Sequence, residues 1–257
     1  MRVGWMPEME GDCGYFPSRR NLYENYLVQS LAPAEVDHLL ASGYRLFGRY
    51  LFRPRCKECD RCVPLRVPLK GFQYSKSQRR LKRSITGLRV IEGKPALREE
   101  KYLLFREHGL GFQAGTPIDY NTFASTYYSN GAPVREFCYE KDNHLVGVGY
   151  LLVGANAAST TYFYYGSTGA KMRLGTYSIL YELEWCRRNH KAYYYLGYLV
   201  PGCARMAYKQ WFRPNEVALA PGIWVPFRGH GAGELQRDPA SLRCVVGQSD
   251  FLLTQRP

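Results

Sequence analysis

The stretch YYYLGYLVPGCARMAYKQWFRPNEV, residues 193–217, says more about the fold than any other part of the chain. Its tyrosine-rich start is typical of a strand, because aromatic side chains favour strands. The Pro201–Gly202 pair predicts a turn, and residues 204–211 predict a helix. Such a strand, turn and helix expose backbone N–H groups that can hold an oxyanion or a peptide backbone. The alternative is that the tyrosines are core residues and that Lys209 and Arg213 are solvated.

The residues before this stretch predict a mixed sheet with helices. Alternating or β-branched segments predict strands at 134–139, 144–153 and 160–165, and helical spacing predicts helices at 97–108, 120–128 and 174–189. The order strand–strand–strand–helix–strand–helix indicates an α/β (α+β) fold. It suits an N-acetyltransferase-like acyl-transfer domain, although order alone is only an analogy.

The first 95 residues predict a smaller basic domain. Residues 22–42 have the spacing of a helix that is interrupted or restarted at Ala32–Pro33. Residues 44–52 and 63–69 alternate as strands do, and the two prolines of the second restrict it to an edge or irregular strand. A charged helix at 75–84 and a short strand at 88–91 follow. We therefore expect domains at 1–95 and 96–257, with a tail after about residue 228 whose order the sequence leaves open.

The chain of 257 residues has a formal net charge of +13, and nearly all of it lies in one segment. From Arg45 to Arg89 there are 14 Lys or Arg residues against two acids. Such a block favours a polyanionic partner such as nucleic acid, because Lys and Arg release the counterions of phosphates. A solvated basic face without a partner is the alternative. Because the chain lacks a long apolar run and an apolar N-terminal segment, we expect a cytoplasmic protein that does not contact membranes.

Three cysteines form the pattern Cys56-x2-Cys59-x2-Cys62, and Cys13 is the natural fourth member. This spacing lets two sulfurs reach one metal ion, so zinc or an iron–sulfur cluster is possible at the loop. No second Cys-x2-Cys pair is present, which argues against a zinc ribbon. A compact loop of uncharged thiols is the alternative, and redox sensing through the loop is a further one. We therefore assign no metal here, and the four cysteines remain candidates.

Several motifs together resemble the bacterial aminoacyl-tRNA:protein transferases, the aspartate/glutamate leucyltransferases that are related to arginyl-tRNA:protein transferases. The resemblance is carried by CGYFPSR at 13–19, YRLFGRYLFRPRCKECDRCVPLRVP at 44–68, SKSQRRLKR at 75–83, LGTYSILYEL at 174–183 and YLGYLVPGCARMAYKQWFRPNEV at 195–217. These pieces occur in collinear order. The last is the most specific, because it is too long to match by chance.

The resemblance implies an enzyme that joins leucine, with arginine as the alternative, from a charged tRNA to proteins with N-terminal Asp or Glu, marking them for N-degron degradation. No cofactor is required, because the aminoacyl ester is already activated. We assign catalysis to Gly197, to the Tyr198 hydroxyl as a proton relay, and to Lys209. Substrate binding is assigned to six further residues: Gln78, Arg79, Arg80, Arg83, Tyr208 and Arg213. Among them, cations are expected to read the acidic N-terminus.

The chain departs from the family pattern where the family has Tyr-Asp-Pro, because here the residues are Tyr165-Gly166-Ser167. This departure keeps two other functions open. One is a non-catalytic tRNA- or RNA-binding protein on a diverged transferase scaffold. The other is an acetyl-CoA-dependent acetyltransferase, whose Gly-rich pyrophosphate loop MRLGTY at 172–177 matches only in part.

Overall fold

The computed structural model describes residues 1–112, 118–129 and 131–227. Two sheets organise these residues. The smaller sheet is antiparallel, with the order β1-β2-β4-β3. Its strands are β1 (Arg2–Asp12), β2 (Arg20–Ser30), β3 (Arg45–Phe47) and β4 (Tyr50–Pro54), and helix α1 (Pro33–Ala41) follows β2.

The larger sheet has eight strands in the order β12-β11-β5-β10-β9-β8-β7-β6. They are β5 (Val63–Pro68), β6 (Leu88–Gly93), β7 (Val134–Lys141), β8 (His144–Val153), β9 (Ala157–Tyr165), β10 (Tyr193–Leu199), β11 (Glu216–Ala220) and β12 (Ile223–Pro226). Only β9 and β10 are parallel. The expected α/β class is confirmed.

Helices cover both faces of the larger sheet. They are α2 (Lys76–Ser84), α3 (Glu99–Phe112), α4 (Tyr120–Tyr128), α5 (Ser167–Lys171), α6 (Leu174–Arg188) and α7 (Ala204–Ala207), and a 3₁₀ helix (Tyr208–Trp211) continues α7. On one face, Leu180 and Leu183 of α6 share a core with Leu81 of α2. On the other, Phe123 of α4 packs with Tyr164 of β9. Two hydrophobic cores therefore sandwich the strands that carry the candidate site.

The predicted helix at residues 22–32 is wrong. Residues 22–30 belong to β2, which pairs with β1 and β4, and Tyr26 lies opposite Trp5 on one side and Leu51 on the other. The part of the predicted helix after the restart at Ala32–Pro33 is confirmed as α1. Leu22 and Tyr26 are four residues apart, as on one helix face, but Val28 is also buried. Pairing with two distant strands therefore decides the conformation.

Of the two alternatives predicted for residues 63–69, the edge strand is wrong, because β5 lies inside the sheet between β10 and β11. The irregular strand agrees with the structure, because the pairing of β5 with β10 shifts its register between Tyr195 and Gly197. Pairing with β11 is limited to Arg66 with Glu216 and Leu65 with Val217. Pro64 and Pro68, which lack an N–H donor, lie outside that short ladder. Residues 44–52 form parts of two strands, β3 and β4, rather than one.

The larger sheet takes β5 and β6 from before residue 95 and its other strands from after it. The domain boundary near residue 95 stays a prediction. The expected tail after about residue 228 lies outside the described residues. Within the described ranges, no helix has the length and apolar character that crossing a membrane requires.

Candidate active site

The candidate site lies where β9 and β10 separate. The two strands pair in parallel only at Tyr193–Tyr195 with 157–159. Beyond this point β9 continues beside β8, whereas Gly197 and the residues after it continue beside β5. An opening therefore forms between the carboxyl halves of two adjacent parallel strands. Openings at the carboxyl ends of strands are where α/β sheets commonly bind ligands.

The guanidinium group of Arg45 bridges this opening. Its Nη2 donates to the carbonyl oxygens of Thr160 at 2.9 Å and Thr161 at 3.3 Å on β9. On the β10 side, a Cβ added to Gly197 would lie only 1.7 Å from Nη1. Gly197 has φ +81°, which side chains rarely adopt. The glycine thus provides the space that the arginine occupies.

Lys209 lies beside Arg45 and is only 5% exposed. Its Nζ donates to the carbonyl oxygen of Tyr198 at 2.9 Å. Burial and the nearby charge of Arg45 lower the pKa of Lys209 to about 7, although the thiols of Cys62 and Cys203 act in the opposite direction. Among the described residues, no carboxylate forms an ion pair with Arg45 or Lys209. The opening therefore holds two cations without a matching anion.

The hydroxyl of Tyr198 donates to the carbonyl oxygen of Gly43 at 3.0 Å, and the side chain is buried. Burial raises its pKa well above the ordinary value. This geometry favours a structural role for Tyr198 over the predicted proton relay, which stays a prediction. Tyr208, in contrast, is 43% exposed and lies within electrostatic range of Arg45.

A cavity of about 440 Å³ lies next to Tyr208, and we call it the donor cavity. Leu81, Trp211 and Phe212 give it apolar walls, and Arg173 and Arg213 line it as well. No Asp or Glu lines this cavity within the described part of the chain. It thus combines apolar surface with positive charge.

Gln78 lines the donor cavity, but its amide is already engaged in building the wall. Its Oε1 accepts from the backbone N–H of Ser75, and its Nε2 donates to the carbonyl oxygen of Trp211 at 3.3 Å. The Ser75 hydroxyl in turn accepts from the N–H of Gln78, which completes a capping box at the start of α2. The predicted binding residue Gln78 therefore attaches α2 to the 3₁₀ helix.

The structure separates the three arginines of α2. Arg79 donates to the carbonyl oxygen of Tyr74, at the base of the same helix. Arg80 lines a groove next to the donor cavity, and Arg83 is exposed near the end of the helix. The predicted binding roles of Gln78, Arg79, Arg80, Arg83, Tyr208 and Arg213 all stay predictions. Of these residues, the donor cavity brings together Gln78, Tyr208 and Arg213.

Part of the basic segment is structural. The Nε atoms of Arg53 and Arg55 both donate to one oxygen of Glu24, at 2.6 and 2.9 Å. Arg66 forms an ion pair with Glu216 at 2.7 Å. These three arginines connect neighbouring strands, so the segment offers less positive charge to a polyanion than its composition indicates.

The four candidate metal ligands do not form a ligand set. Among the described residues, no group of three His, Cys, Asp or Glu side chains could hold a metal ion. The Cys56 thiol instead exchanges hydrogen bonds with the backbone of Leu22, at 3.4 and 3.8 Å. Burial, with the neighbouring thiols of Cys13, Cys56 and Cys59, raises the pKa of Cys62 to about 12. No metal is assigned, and the four cysteines stay candidates only.

Two acidic residues near the opening have no role assigned from the sequence, although Glu182 lies in the family-like stretch at 174–183. Glu182 of α6 is fully buried and accepts from the Tyr194 hydroxyl at 2.5 Å, and burial raises its pKa to about 8. Glu107 of α3 accepts from the backbone N–H of Ser167 at 2.7 Å. A Cβ added to Gly166 would lie 2.5 Å from Glu107 Oε2. Glu107 therefore occupies space next to the position where the family has an aspartate.

Comparisons with known proteins agree on one family. A family model described as arginine-tRNA-protein transferase, N terminus, matches residues 11–80, and its C-terminus counterpart matches residues 100–219. An aspartate/glutamate leucyltransferase from Alkalilimnicola ehrlichii is 34% identical over 76% of this chain and 83% of its own. One from Helicobacter hepaticus is 29% identical over 84% of this chain and 95% of its own.

Solved structures that resemble the fold are distant in sequence. The crystal structure of FemX has a TM-score of 0.49 and 10% identity, and the match covers 79% of this chain and 71% of FemX. A GCN5-related N-acetyltransferase from Kribbella flavida has a TM-score of 0.37 and 13% identity, with 65% and 55% covered.

Proposed function

The chain belongs to the arginine-tRNA-protein transferase family and is an aminoacyltransferase, and from this we propose that it transfers leucine from leucyl-tRNA to proteins that begin with Asp or Glu. The relatives cited above carry that activity in their names. We further propose that transfer occurs at the opening between β9 and β10, with the acceptor at Arg45 and the aminoacyl group in the donor cavity.

The observation that carries the acceptor assignment is the pair of cations without an anion. A buried or half-buried cation is costly unless a negative group compensates it. The carboxylate of an N-terminal Asp or Glu would supply that compensation, because a guanidinium group binds a carboxylate through two parallel hydrogen bonds. Arg45 is half-buried and can meet the substrate, whereas Lys209 is buried and would act on the carboxylate through its charge.

The shape and charge of the donor cavity favour a leucyl group over an arginyl group. A leucyl side chain can contact the apolar surfaces of Leu81, Trp211 and Phe212. An arginyl side chain would bring a third guanidinium group near Arg173 and Arg213, in a cavity without a described acidic residue. Like charges at short range repel, so arginine would be disfavoured.

The reaction requires the enzyme to position the amine and the ester more than to activate either of them chemically. The acceptor amine attacks the ester carbonyl carbon, a C–N bond forms, and the C–O bond to the tRNA ribose breaks. The amine loses a proton and the ribose oxygen gains one. A free N-terminal amine has a pKa of about 7.7–8.0, so part of it is neutral near pH 7. Fixing amine and ester next to each other can supply much of the rate acceleration.

Transfer of labelled leucine tests the proposal directly. We expect leucine from leucyl-tRNA to be joined to peptides that begin with Asp or Glu, and not to matched peptides that begin with Asn, whose side chain has similar shape without charge. Transfer of arginine alone would overturn the donor assignment. Binding of tRNA without transfer would favour the non-catalytic alternative, and acetyl transfer from acetyl-CoA would favour an acetyltransferase.

A pair of variants tests the acceptor site. Arg45→Met should reduce the preference for Asp over Asn peptides by at least about tenfold, the effect of losing roughly 1.4 kcal/mol of a charge-assisted contact. Arg49→Met, in the turn between β3 and β4, removes the same charge outside the opening and should leave the preference unchanged. Equal effects of both variants would refute the role of Arg45.

A further inference from the structure

A second groove adjoins the donor cavity, and we call it the basic groove. Its volume is about 440 Å³, and it shares Ser77, Leu81 and Arg173 with the donor cavity. The two spaces are therefore neighbours along one face of α2. The end of β7, the end of α5 and the residues before α6 form the opposite wall.

Four cations from separate elements line the basic groove: Arg80 of α2, Lys141 of β7, Lys171 of α5, and Arg173 just before α6. No Asp or Glu lines the groove among the residues that the structure describes. Lys141 contacts the exposed Asp142 at 3.3 Å. Arg80, Lys171 and Arg173 have no ion pair in the described ranges. Two acids on neighbouring elements are paired with other cations, Glu184 with Lys82 and Glu140 with Arg89.

The backbone at Arg173 is adapted to this position. Arg173 has φ +55°, a left-handed conformation that is uncommon for residues other than glycine. It precedes the first residue of α6, and its side chain lines both the groove and the donor cavity. Strained conformations of this kind are found preferentially at functional sites. Arg173 thus links the two spaces.

We propose that the basic groove binds phosphates of the single-stranded 3′ end of the aminoacyl-tRNA and leads its aminoacyl group into the donor cavity. The inference rests on the proposed function for the identity of the donor. Arginine and lysine side chains are the usual partners of phosphate oxygens, and hydroxyl groups assist them. Ser77, Ser84 and Thr86 supply such hydroxyl groups along the groove.

This assignment differs from what the charge of the sequence indicates. Lys141, Lys171 and Arg173 lie outside the basic segment between Arg45 and Arg89. The fold brings them against Arg80 from that segment. The RNA end would therefore be held by residues from both halves of the chain, next to the cavity that takes the amino acid.

The test measures RNA binding without requiring transfer. The probe is a fluorescently labelled single-stranded RNA that ends in CCA, and its dissociation constant is measured by anisotropy over a range of salt concentrations. Arg80→Gln combined with Lys171→Gln removes two exposed cations of the groove. Each lost phosphate contact should lower the slope of log K against log salt by about 0.7, so the double variant should lose about 1.4.

A matched control has the same net charge as the groove variant. Arg187→Gln combined with Arg188→Gln removes two exposed cations at the far end of α6 and should leave the slope unchanged. Equal slopes in the two double variants, with unchanged thermal unfolding, would overturn the groove assignment. The assignment would also be overturned if the groove variant lost as much affinity for a blunt RNA duplex as for the single strand.

The same proteins separate this inference from the proposed function. If the groove variant loses RNA affinity but the unchanged protein transfers no amino acid, the groove stands and the proposed function fails. If the unchanged protein transfers leucine and the groove variant has an unaltered KM for leucyl-tRNA, the proposed function stands and the groove assignment fails.

Discussion

Gly197→Ala should test whether Arg45 is held in place by the space that Gly197 leaves. The added Cβ would lie 1.7 Å from Arg45 Nη1, so one of the two groups must move. The guanidinium group is the end of a flexible side chain, whereas the backbone of β10 is paired with β5. We therefore expect the arginine to swing out and the strand to remain.

Gly197→Ala should lower the free energy of unfolding in two ways. An alanine at φ +81° is in the left-handed region, which disfavours side chains by about 1–2 kcal/mol. Displacing Arg45 also breaks its hydrogen bonds to Thr160 and Thr161. Both bonds come from the single atom Nη2 and the second is long at 3.3 Å, so we count them together as one hydrogen bond of a charged group, which contributes a net of about 1.5–3 kcal/mol. We expect a total loss of roughly 2–5 kcal/mol in the free energy of unfolding.

Gly71→Ala is the matched control. Gly71 has φ +82°, and an added Cβ would meet nothing within 4 Å. The Gly71→Ala variant should therefore lose only the backbone contribution to the free energy of unfolding, about 1–2 kcal/mol. Urea unfolding measures both stabilities, and initial rates with Asp and Asn peptides measure acceptor preference.

Only Gly197→Ala should lose the preference for Asp. If this variant keeps the full preference, or if it is no less stable than the Gly71 variant, the reasoning about Arg45 is refuted.

Three other changes probe the surroundings of the opening. Lys209→Met should make the preference for Asp over Asn peptides independent of pH, whereas in the unchanged protein it should fall as the pH rises through the Lys209 pKa of about 7; parallel pH profiles of the two proteins would contradict this. Glu182→Gln should remove a decline in stability with rising pH, because the native carboxyl holds a proton between the ordinary pKa of 4.5 and its own of about 8, and the unfolded chain does not. That decline should be about 2–3 kcal/mol between about pH 5 and about pH 7 in urea unfolding, and an equal slope in the variant would count against it. Gly166→Asp should destabilise the protein by crowding Glu107, and adding Glu107→Ala should recover about 0.5–3 kcal/mol in a thermal unfolding cycle; strictly additive effects would argue against the contact.

The sequence predicts the second half of the fold well because its signals there are local. The helices at α4 and α6 and the strands from β7 to β10 follow from spacing and turn residues within each segment. Where a distant partner decides, as for β2 and β5, local spacing misleads. Pairing on both sides explains both cases: it makes β2 a strand instead of the expected helix, and it gives β5, a strand as expected, an interior place instead of an edge.

The residues of the candidate site also fall into those that the sequence indicates and those that only the fold brings there. Gly197 and Lys209 lie in a long motif, and the structure places both near Arg45, while their catalytic roles stay predictions. Arg45 lies in the family-like stretch at 44–68, but nothing in that stretch indicates a role for it, because its contact with Gly197 joins residues far apart in sequence. Glu107 and Glu182 were missed for the same reason. Charge counted along the chain also misleads where, as with Arg53 and Arg55, the arginines already have a partner in Glu24.

The position of Arg45 implies that the selectivity for acidic acceptors depends on the orientation of the bound amine as well as on binding affinity. The carboxylate of an N-terminal Asp is separated from its reacting amine by only two carbon atoms. A guanidinium group that is fixed by carbonyl oxygens of β9 and shaped by the backbone of β10 would therefore also fix the amine. An Asn peptide forced into the site at saturating concentration would lack this anchor and should still react slowly, because its amine is not oriented toward the ester. In the proposed reaction, Arg45 would thus position the acceptor amine by binding its side chain, and the donor cavity would position the ester by binding the leucyl side chain.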